Sequence, residues 1–225
     1  INIAIATGRS LAMVKQESFY DLFKTIISAN GSLITVNDEV IYKEYMNQRL
    51  VRDLLTVFEK NQTPYCIHFL HESKGKLNQA WVAEFSIKYN MPLGYLEEDI
   101  LNQIEKYEVF QINAYIKDSE IEMMRQSYPQ FSFVKLIDIE DGYDIFNKHC
   151  SKGSAIRYLR SHQSGKEMEY YAFGDGFNDL EMFAEVDYSI AMGNGCDLLK
   201  ERATYVTDSI HENGIYNALK NLKLI

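Results

Sequence analysis

Glu169-Tyr-Tyr-Ala-Phe-Gly-Asp-Gly-Phe-Asn-Asp-Leu-Glu-Met-Phe183 is the stretch on which the reading of the chain turns. Residues 170–173 are aromatic and apolar and read as a short buried strand. Gly174-Asp175-Gly176 follows as a tight turn, where glycine lets the backbone bend freely. Residues 178–184 read as the start of a helix. The unit is strand, loop, helix, and its carboxylates fall where the strand ends, the edge at which open α/β sheets bind ligands. Asp175 and Asp179 on one short loop suit a hard cation such as Mg2+, which keeps several waters and takes one or two carboxylates. A solvated Asp/Gly/Asn turn has the same composition, so the stretch alone leaves both readings open.

Working outward, Cys150-Ser-Lys-Gly-Ser154 leads into a helix over 155–160. A cation at a helix start opposes the helix dipole, so Lys152 makes most sense facing an anion or a carboxylate cluster; a solvated loop lysine is the alternative. At the other end of the chain, the apolar run 1–6 ends in Thr7-Gly8-Arg9-Ser10, and a helix is expected over 11–22. Strand, Thr-Gly, helix is a phosphate-binding layout, although a Ser/Thr helix cap explains the same residues. Residues 25–28 read as a buried strand, 29–32 as a turn, and 33–36 with 39–42 as a hairpin across Asn37-Asp38. Asn30 is either a turn residue tolerating left-handed geometry or a side-chain donor to a ligand.

From about residue 47 the character changes. Residues 48–59 form an amphipathic helix with Leu50, Leu54, Leu55 and Phe58 on one face. A strand is expected over 64–70, a polar loop over 71–78, and a helix over 81–89 with Trp81 and Phe85 in the core. His68 and His71 read as surface residues rather than ligands. Helices over 97–106 and 119–127 and strands over 110–116, 132–137 and 143–147 complete the region. This alternation suggests an inserted α+β domain over 47–146, with 1–46 and 147–225 forming one α/β core. Beyond the opening stretch come a strand over 188–192, Gly193-Asn194-Gly195, a helix to Arg202, a short strand over 205–207, a polar loop over 208–214 and a closing helix over 215–222. His149, His162 and His211 have no metal-ligand spacing.

Taken in order, Thr7-Gly8-Arg9, Ser28-Ala-Asn30-Gly31, Ser151-Lys152-Gly153, Gly174-Asp175-Gly176-Phe-Asn178-Asp179, Ala191-Met-Gly193-Asn194 and Val206-Thr-Asp208 resemble the haloacid dehalogenase superfamily, and within it the Cof-type phosphatases with a large α/β cap. The resemblance implies a Rossmann-like parallel-sheet core with an inserted α+β cap. It also implies a Mg2+-dependent phosphomonoester hydrolase acting on a small phosphorylated metabolite, sugar-phosphate-like, through an aspartyl-phosphate. Carried over by position, Asp175 and Asp179 are metal ligands. Thr7 and Gly8 hold phosphoryl oxygens, and Lys152 neutralises the phosphoryl group. Asn178 contacts phosphate, while Arg9, Asn30 and Gly31 line the leaving-group side. Asn194 supports the loop from behind.

The family's Asp-x-Asp-Gly-Thr motif, which supplies the nucleophile on a first core strand, does not occur in the 225 residues. Asp138 and Glu140-Asp141 lack the Gly-Thr turn and offer no substitute. The expectation is therefore a nucleophile upstream of Ile1 and an inactive chain without it. The alternative is a non-catalytic protein on the same scaffold that binds a phosphorylated metabolite or a partner.

Bulk properties narrow the classes. With 46% hydrophobic and 24% charged residues the chain can build a core. A net charge of −9 argues against nucleic acid or an anionic membrane as partner. Cys66, Cys150 and Cys196 form no CxxC pattern, so a disulfide framework or zinc site is not expected and a reduced cytoplasmic setting is. No apolar run reaches transmembrane length.

Overall fold

A computed structural model describes residues 1–76, 78–136, 139–162 and 168–225. They form two compact units, Ile1–Cys150 and Ser151–Ile225. Ile137, the last residue of the strand expected over 132–137, lies outside the described residues, as do Asp138 and Leu77 of the loop expected over 71–78.

The first unit holds two sheets. In the four-stranded sheet, β1 (Ala4–Ala6) pairs in parallel with β2 (Thr25–Ser28), which continues antiparallel to β3 (Leu33–Val36) and β4 (Glu39–Lys43). The hairpin between β3 and β4 turns at Asn37 and Asp38, both with positive φ, as a two-residue turn of matching twist requires. Helix α1 is only Leu11–Val14, with a separate 3-10 turn at Tyr20–Leu22, where one helix over 11–22 was expected. The pattern explains the break. Leu11, Ala12, Met13 and Val14 are all buried as one contiguous block, whereas Lys15 and Gln16 are exposed and Leu22 is left in solvent, so no helical stripe continues.

The six-stranded sheet comprises β5 (Tyr65–His68), β6 (Ser73–Gly75), β7 (Leu93–Tyr95), β8 (Gln111–Tyr115), β9 (Phe131–Lys135) and β10 (Gly142–Asn147), in the order β7-β6-β5-β8-β10-β9. Strand β6 replaces part of the loop expected over 71–78, and β7 falls in a stretch to which no element was assigned. Each has three residues, too few to display a period. Helix α2 (Gln48–Lys60) starts at Asn47, whose side chain accepts from the Leu50 N–H at 3.1 Å. Its Val51, Leu54, Leu55 and Phe58 pack on Tyr65, Ile67, Ile112, Ala114 and Ile145, forming one fully buried core. Each such side chain contributes roughly 2 kcal/mol by burial. Helices α3 (Ala80–Lys88), α4 (Ile100–Gln103) and α5 (Ile121–Ser127) complete the unit. Trp81 stacks on the buried Phe85 with ring centroids 5.0 Å apart.

The second unit opens with α6 (Lys152–Ser161) and carries a parallel sheet of β11 (Tyr171–Gly174), β12 (Tyr188–Ala191) and β13 (Tyr205–Val206). Helices α7 (Leu180–Phe183), α8 (Asp197–Arg202) and α9 (Gly214–Asn221) follow its strands. The mixed α/β class with parallel-sheet segments is the one read from the sequence. Among the described residues, no helix is long and apolar enough to cross a membrane.

Candidate active site

In the second unit the chemistry gathers at the carboxyl end of β11. The chain leaves Gly174, passes Asp175 and Gly176, and enters a 3-10 turn at Phe177–Asp179 before α7. Asp179 is 2% exposed and Lys152 8%. Asp179 Oδ2 accepts from the N–H of Asp175 at 2.9 Å and of Gly176 at 3.0 Å, while Oδ1 pairs with Lys152 Nζ at 2.6 Å. One carboxylate thus fixes its own loop and neutralises a buried lysine. The Lys152 ammonium stands at the start of α6, where Ser151 and Ser154 form a capping box. Gly174 is required because a Cβ there would lie 2.7 Å from the Asp179 Cβ.

Asp175 is exposed, and its carboxylate has no protein partner among the described residues. Its backbone is fixed instead, since its carbonyl accepts from Cys196 N–H at 2.9 Å. Asn178, three residues further along the loop, is also exposed. Asn194 accepts from Ile210 N–H at 2.9 Å, tying the turn after β12 to the following loop. Among the described residues no group of three His, Cys, Asp or Glu side chains gathers as a metal site. The loop offers one unengaged carboxylate, Asp175, next to one already engaged. That donor set fits a hard cation that draws most of its ligands from water and a bound phosphate.

In the first unit, Thr7 extends the β1–β2 ladder through its N–H to the Ile27 carbonyl at 2.9 Å. Its Oγ1 accepts from Arg9 N–H at 3.1 Å, leaving the hydroxyl proton available to an anion. The Arg9 guanidinium is exposed and paired with Glu17. Ala29, Asn30 and Gly31 all have positive φ, at 48°, 53° and 92°. Asn30 is 5% exposed, and its Oδ1 lies 3.0 Å from where a Cβ on Gly8 would be. Thr7, Gly8, Arg9, Asn30 and Gly31 therefore form one cluster in this unit.

A polar chain missed in the sequence adjoins that cluster. His68 is fully buried on β5, not a surface residue as expected. Its Nδ1 faces Ser73 Oγ at 2.8 Å, and its Nε2 faces Asn113 Oδ1. An amide oxygen only accepts, so Nε2 carries the proton and Ser73 donates to Nδ1. Ser10 Oγ lies 3.5 Å from Ser73 Oγ. The Asn113 amide then donates to Asp144, as does Asn30 Nδ2 at 3.4 Å, and Gln111 also hydrogen-bonds this carboxylate. The run Ser10, Ser73, His68, Asn113, Asp144 has every proton directed toward Asp144. The legible signal was the alternation Gln111-Ile-Asn113-Ala-Tyr115, which puts the amides on the face opposite the apolar core.

Burial holds the His68 ring down at a pKa of about 4. It lifts the Asp144 carboxyl to about 6, against the pull of its three amide partners. The two act on stability with opposite sign. His68, depressed below its ordinary value, contributes stability that is present above about pH 6.5 and is lost as pH falls through about 4. Asp144, raised above its ordinary value, contributes stability that is present below about pH 4 and is lost as pH rises through about 6. The expected observation is a His68 ring that stays neutral, by its NMR shifts, down to about pH 4. A midpoint at the ordinary histidine value would contradict the burial.

A family model described as haloacid dehalogenase-like hydrolase matches residues 1–219. The chain belongs to that family. As a haloacid dehalogenase-like phosphatase it is 32% identical over 232 residues to YkrA of Bacillus subtilis (strain 168), named as a candidate phosphatase, with 100% of this chain and 85% of that protein covered. Two solved structures align along nearly all of it. A hypothetical protein of Geobacillus kaustophilus HTA426 gives a TM-score of 0.86 at 27% identity, covering 99% of this chain and 85% of that one. The subclass IIB sugar phosphatase BT4131 gives 0.81 at 27% identity, covering 100% and 86%. The Rossmann-like core with a cap is thus the fold of this haloacid dehalogenase-like hydrolase.

Proposed function

We propose that the protein is a Mg2+-dependent phosphomonoester hydrolase acting in the cytoplasm on a small, sugar-phosphate-like metabolite. The observation that carries this reading is the β11 loop, with an exposed Asp175 carboxylate beside the buried Lys152–Asp179 pair. Asp175 holds the cation, with Asp179 as the second, partly committed ligand. Bound Mg2+ supplies charge neutralisation at the phosphoryl oxygens. Thr7 donates its hydroxyl and Gly8 its N–H to those oxygens. Lys152 offsets the charge that grows on them in the transition state, and Asn178 adds an amide donor. Arg9, Asn30 and Gly31 serve the leaving-group side, and Asn194 steadies the loop it bonds.

The attacking carboxylate lies in a segment preceding Ile1. Its oxygen bonds to phosphorus as the ester oxygen departs, and water then cleaves the aspartyl-phosphate to release phosphate. β1 and β11 support this reading, because each is paired on one side only among the described residues and can accept a further strand. Residues 47–146 act as the inserted cap and select the leaving group, with 1–46 and 147–225 as the core.

Hydrolysis of p-nitrophenyl phosphate, with and without Mg2+, by the protein carrying its upstream segment tests the proposal. Asp175→Asn and Lys152→Met are each expected to lower kcat about 100-fold or more. Asp175→Asn should leave the melting temperature unchanged, since its carboxylate has no protein partner among the described residues. A protein that binds inorganic phosphate equally well with or without Mg2+ and never hydrolyses the ester is a binding protein on this scaffold instead.

A further inference from the structure

Asp175 presents its carboxylate from a backbone held on two sides. Its N–H donates to Asp179 Oδ2 at 2.9 Å, within its own loop, and its carbonyl accepts from Cys196 N–H at 2.9 Å, at the end of the turn after β12. The fit against that turn is close, since a Cβ on Gly195 would lie 3.1 Å from Asp175 Cα. The carboxylate itself has no protein partner among the described residues, so where it stands follows from where these two loops stand. The turn after β12 is anchored from its far side by residues 207–214. Gly193 N–H donates to the Asp208 carbonyl at 3.1 Å, and Ile210 N–H donates to Asn194 Oδ1 at 2.9 Å.

Residues 207–214 are cross-tied into one shape. The buried Thr207 donates its hydroxyl to the Gly214 carbonyl at 2.7 Å, and Ser209 donates its own to Glu212 Oε2 at 2.7 Å. Asn217 Nδ2 donates to Asp208 Oδ2 at 2.8 Å and to the Glu212 carbonyl at 3.0 Å. A Cβ on Gly214 would strike the Asp208 carbonyl oxygen at 2.0 Å, the same oxygen that accepts from Gly193. We propose that residues 207–214 position the cation ligand Asp175, and that the Ile210 N–H, acting through Asn194 and the turn after β12, is the positioning group. The inference rests on the Mg2+-dependent phosphomonoester reading and adds to it a residue that acts only through another. Mg2+ demands near-ideal octahedral geometry, so a carboxylate that meets it tolerates little displacement, and the groups behind the ligand tune its affinity.

Ile210→Pro removes that N–H and little else. Ile210 opens a 3-10 turn, a position that accommodates proline, Ser209 before it is already extended at φ −67° and ψ 164°, and the Ile210 side chain is 54% exposed. Ile210→Ala keeps the N–H and serves as the control. In the protein carrying its upstream segment, Mn2+ stands in for Mg2+ and its binding is read by electron paramagnetic resonance, alongside the Mg2+ concentration that half-activates hydrolysis of p-nitrophenyl phosphate. Ile210→Pro is expected to weaken both about 5-fold, roughly what one hydrogen bond contributes, at the melting temperature of Ile210→Ala. Asn194→Ala reaches the same link without altering the backbone and should weaken Mn2+ binding as much. The double variant, Asn194→Ala with Ile210→Pro, should lose no more than either single change, because the two are halves of one contact. The proposal is overturned if either single variant binds Mn2+ as tightly as Ile210→Ala, or if the double variant loses the product of the two single losses. If the unsubstituted protein binds no Mn2+, the Mg2+ reading of the site falls, and this inference with it.

Discussion

Asp179→Ala is expected to destabilise the unit from Ser151 to Ile225 by about 3–5 kcal/mol, the cost of stripping one partner from a buried ion pair. The change removes the only counter-charge that Lys152, 8% exposed, has among the described residues, and the acceptor for two loop N–H groups at 2.9 and 3.0 Å. Asp179→Asn should lose less, because an amide oxygen still accepts from the loop, while the lysine stays uncompensated. The double change Lys152→Met with Asp179→Leu should recover much of the loss, since a well-packed apolar pair replaces the charges. Denaturant unfolding of the four proteins gives the comparison. An Asp179→Ala midpoint equal to that of the unsubstituted protein would show that the pair is solvated in solution. Hydrolysis should be abolished in all three variants, so stability and activity part company most clearly in the double change.

Gly153→Ala is the second change with a large expected effect. A Cβ at this position would lie 2.6 Å from the carbonyl carbon of Glu181 and closer still to its oxygen. Both are backbone atoms, so no rotamer relieves the clash, and α6 must move away from α7. Overpacking of this kind costs about 1–3 kcal/mol. The catalytic cost should be larger, because Lys152 is the adjacent residue and a displacement near 1 Å can lower turnover about 100-fold. Ser154→Ala makes a useful control. It removes the capping-box side chain on the same helix, at roughly 1 kcal/mol, without pressing on Glu181. Equal kcat for the two variants would show that the α6–α7 contact does not position Lys152.

The readable parts of the chain were those where one physical rule dominates. Helix α2 was legible because Leu54, Leu55 and Phe58 repeat at helical spacing with a capping asparagine ahead of them. The β11 loop was legible because Gly174, Asp175 and Gly176 are turn residues placed directly after an apolar run. Helix α1 misled because four contiguous apolar residues satisfy a helix and a buried turn alike. His68 misled for a different reason. A histidine in a strand shows by its spacing which face it occupies, but whether that face is wet depends on what covers it, here Ser10, which lies far from it in sequence and meets it through Ser73. Gln111, Asn113 and Asp144 were hidden in the same way, since a polar sheet face reads as solvent-facing until something covers it.

The three consecutive residues with positive φ, Ala29, Asn30 and Gly31, are not free to vary on their own. Ala29 N–H donates to the Arg9 carbonyl at 2.8 Å, and Asn30 N–H donates to the Thr7 carbonyl at 3.2 Å. The loops after β1 and after β2 are thereby zipped to each other across some twenty residues of sequence. For anyone building chimaeras, the pair is a single cassette. Grafting one loop from a relative with a different length breaks both cross-links, whereas moving the two together carries the whole turn geometry intact.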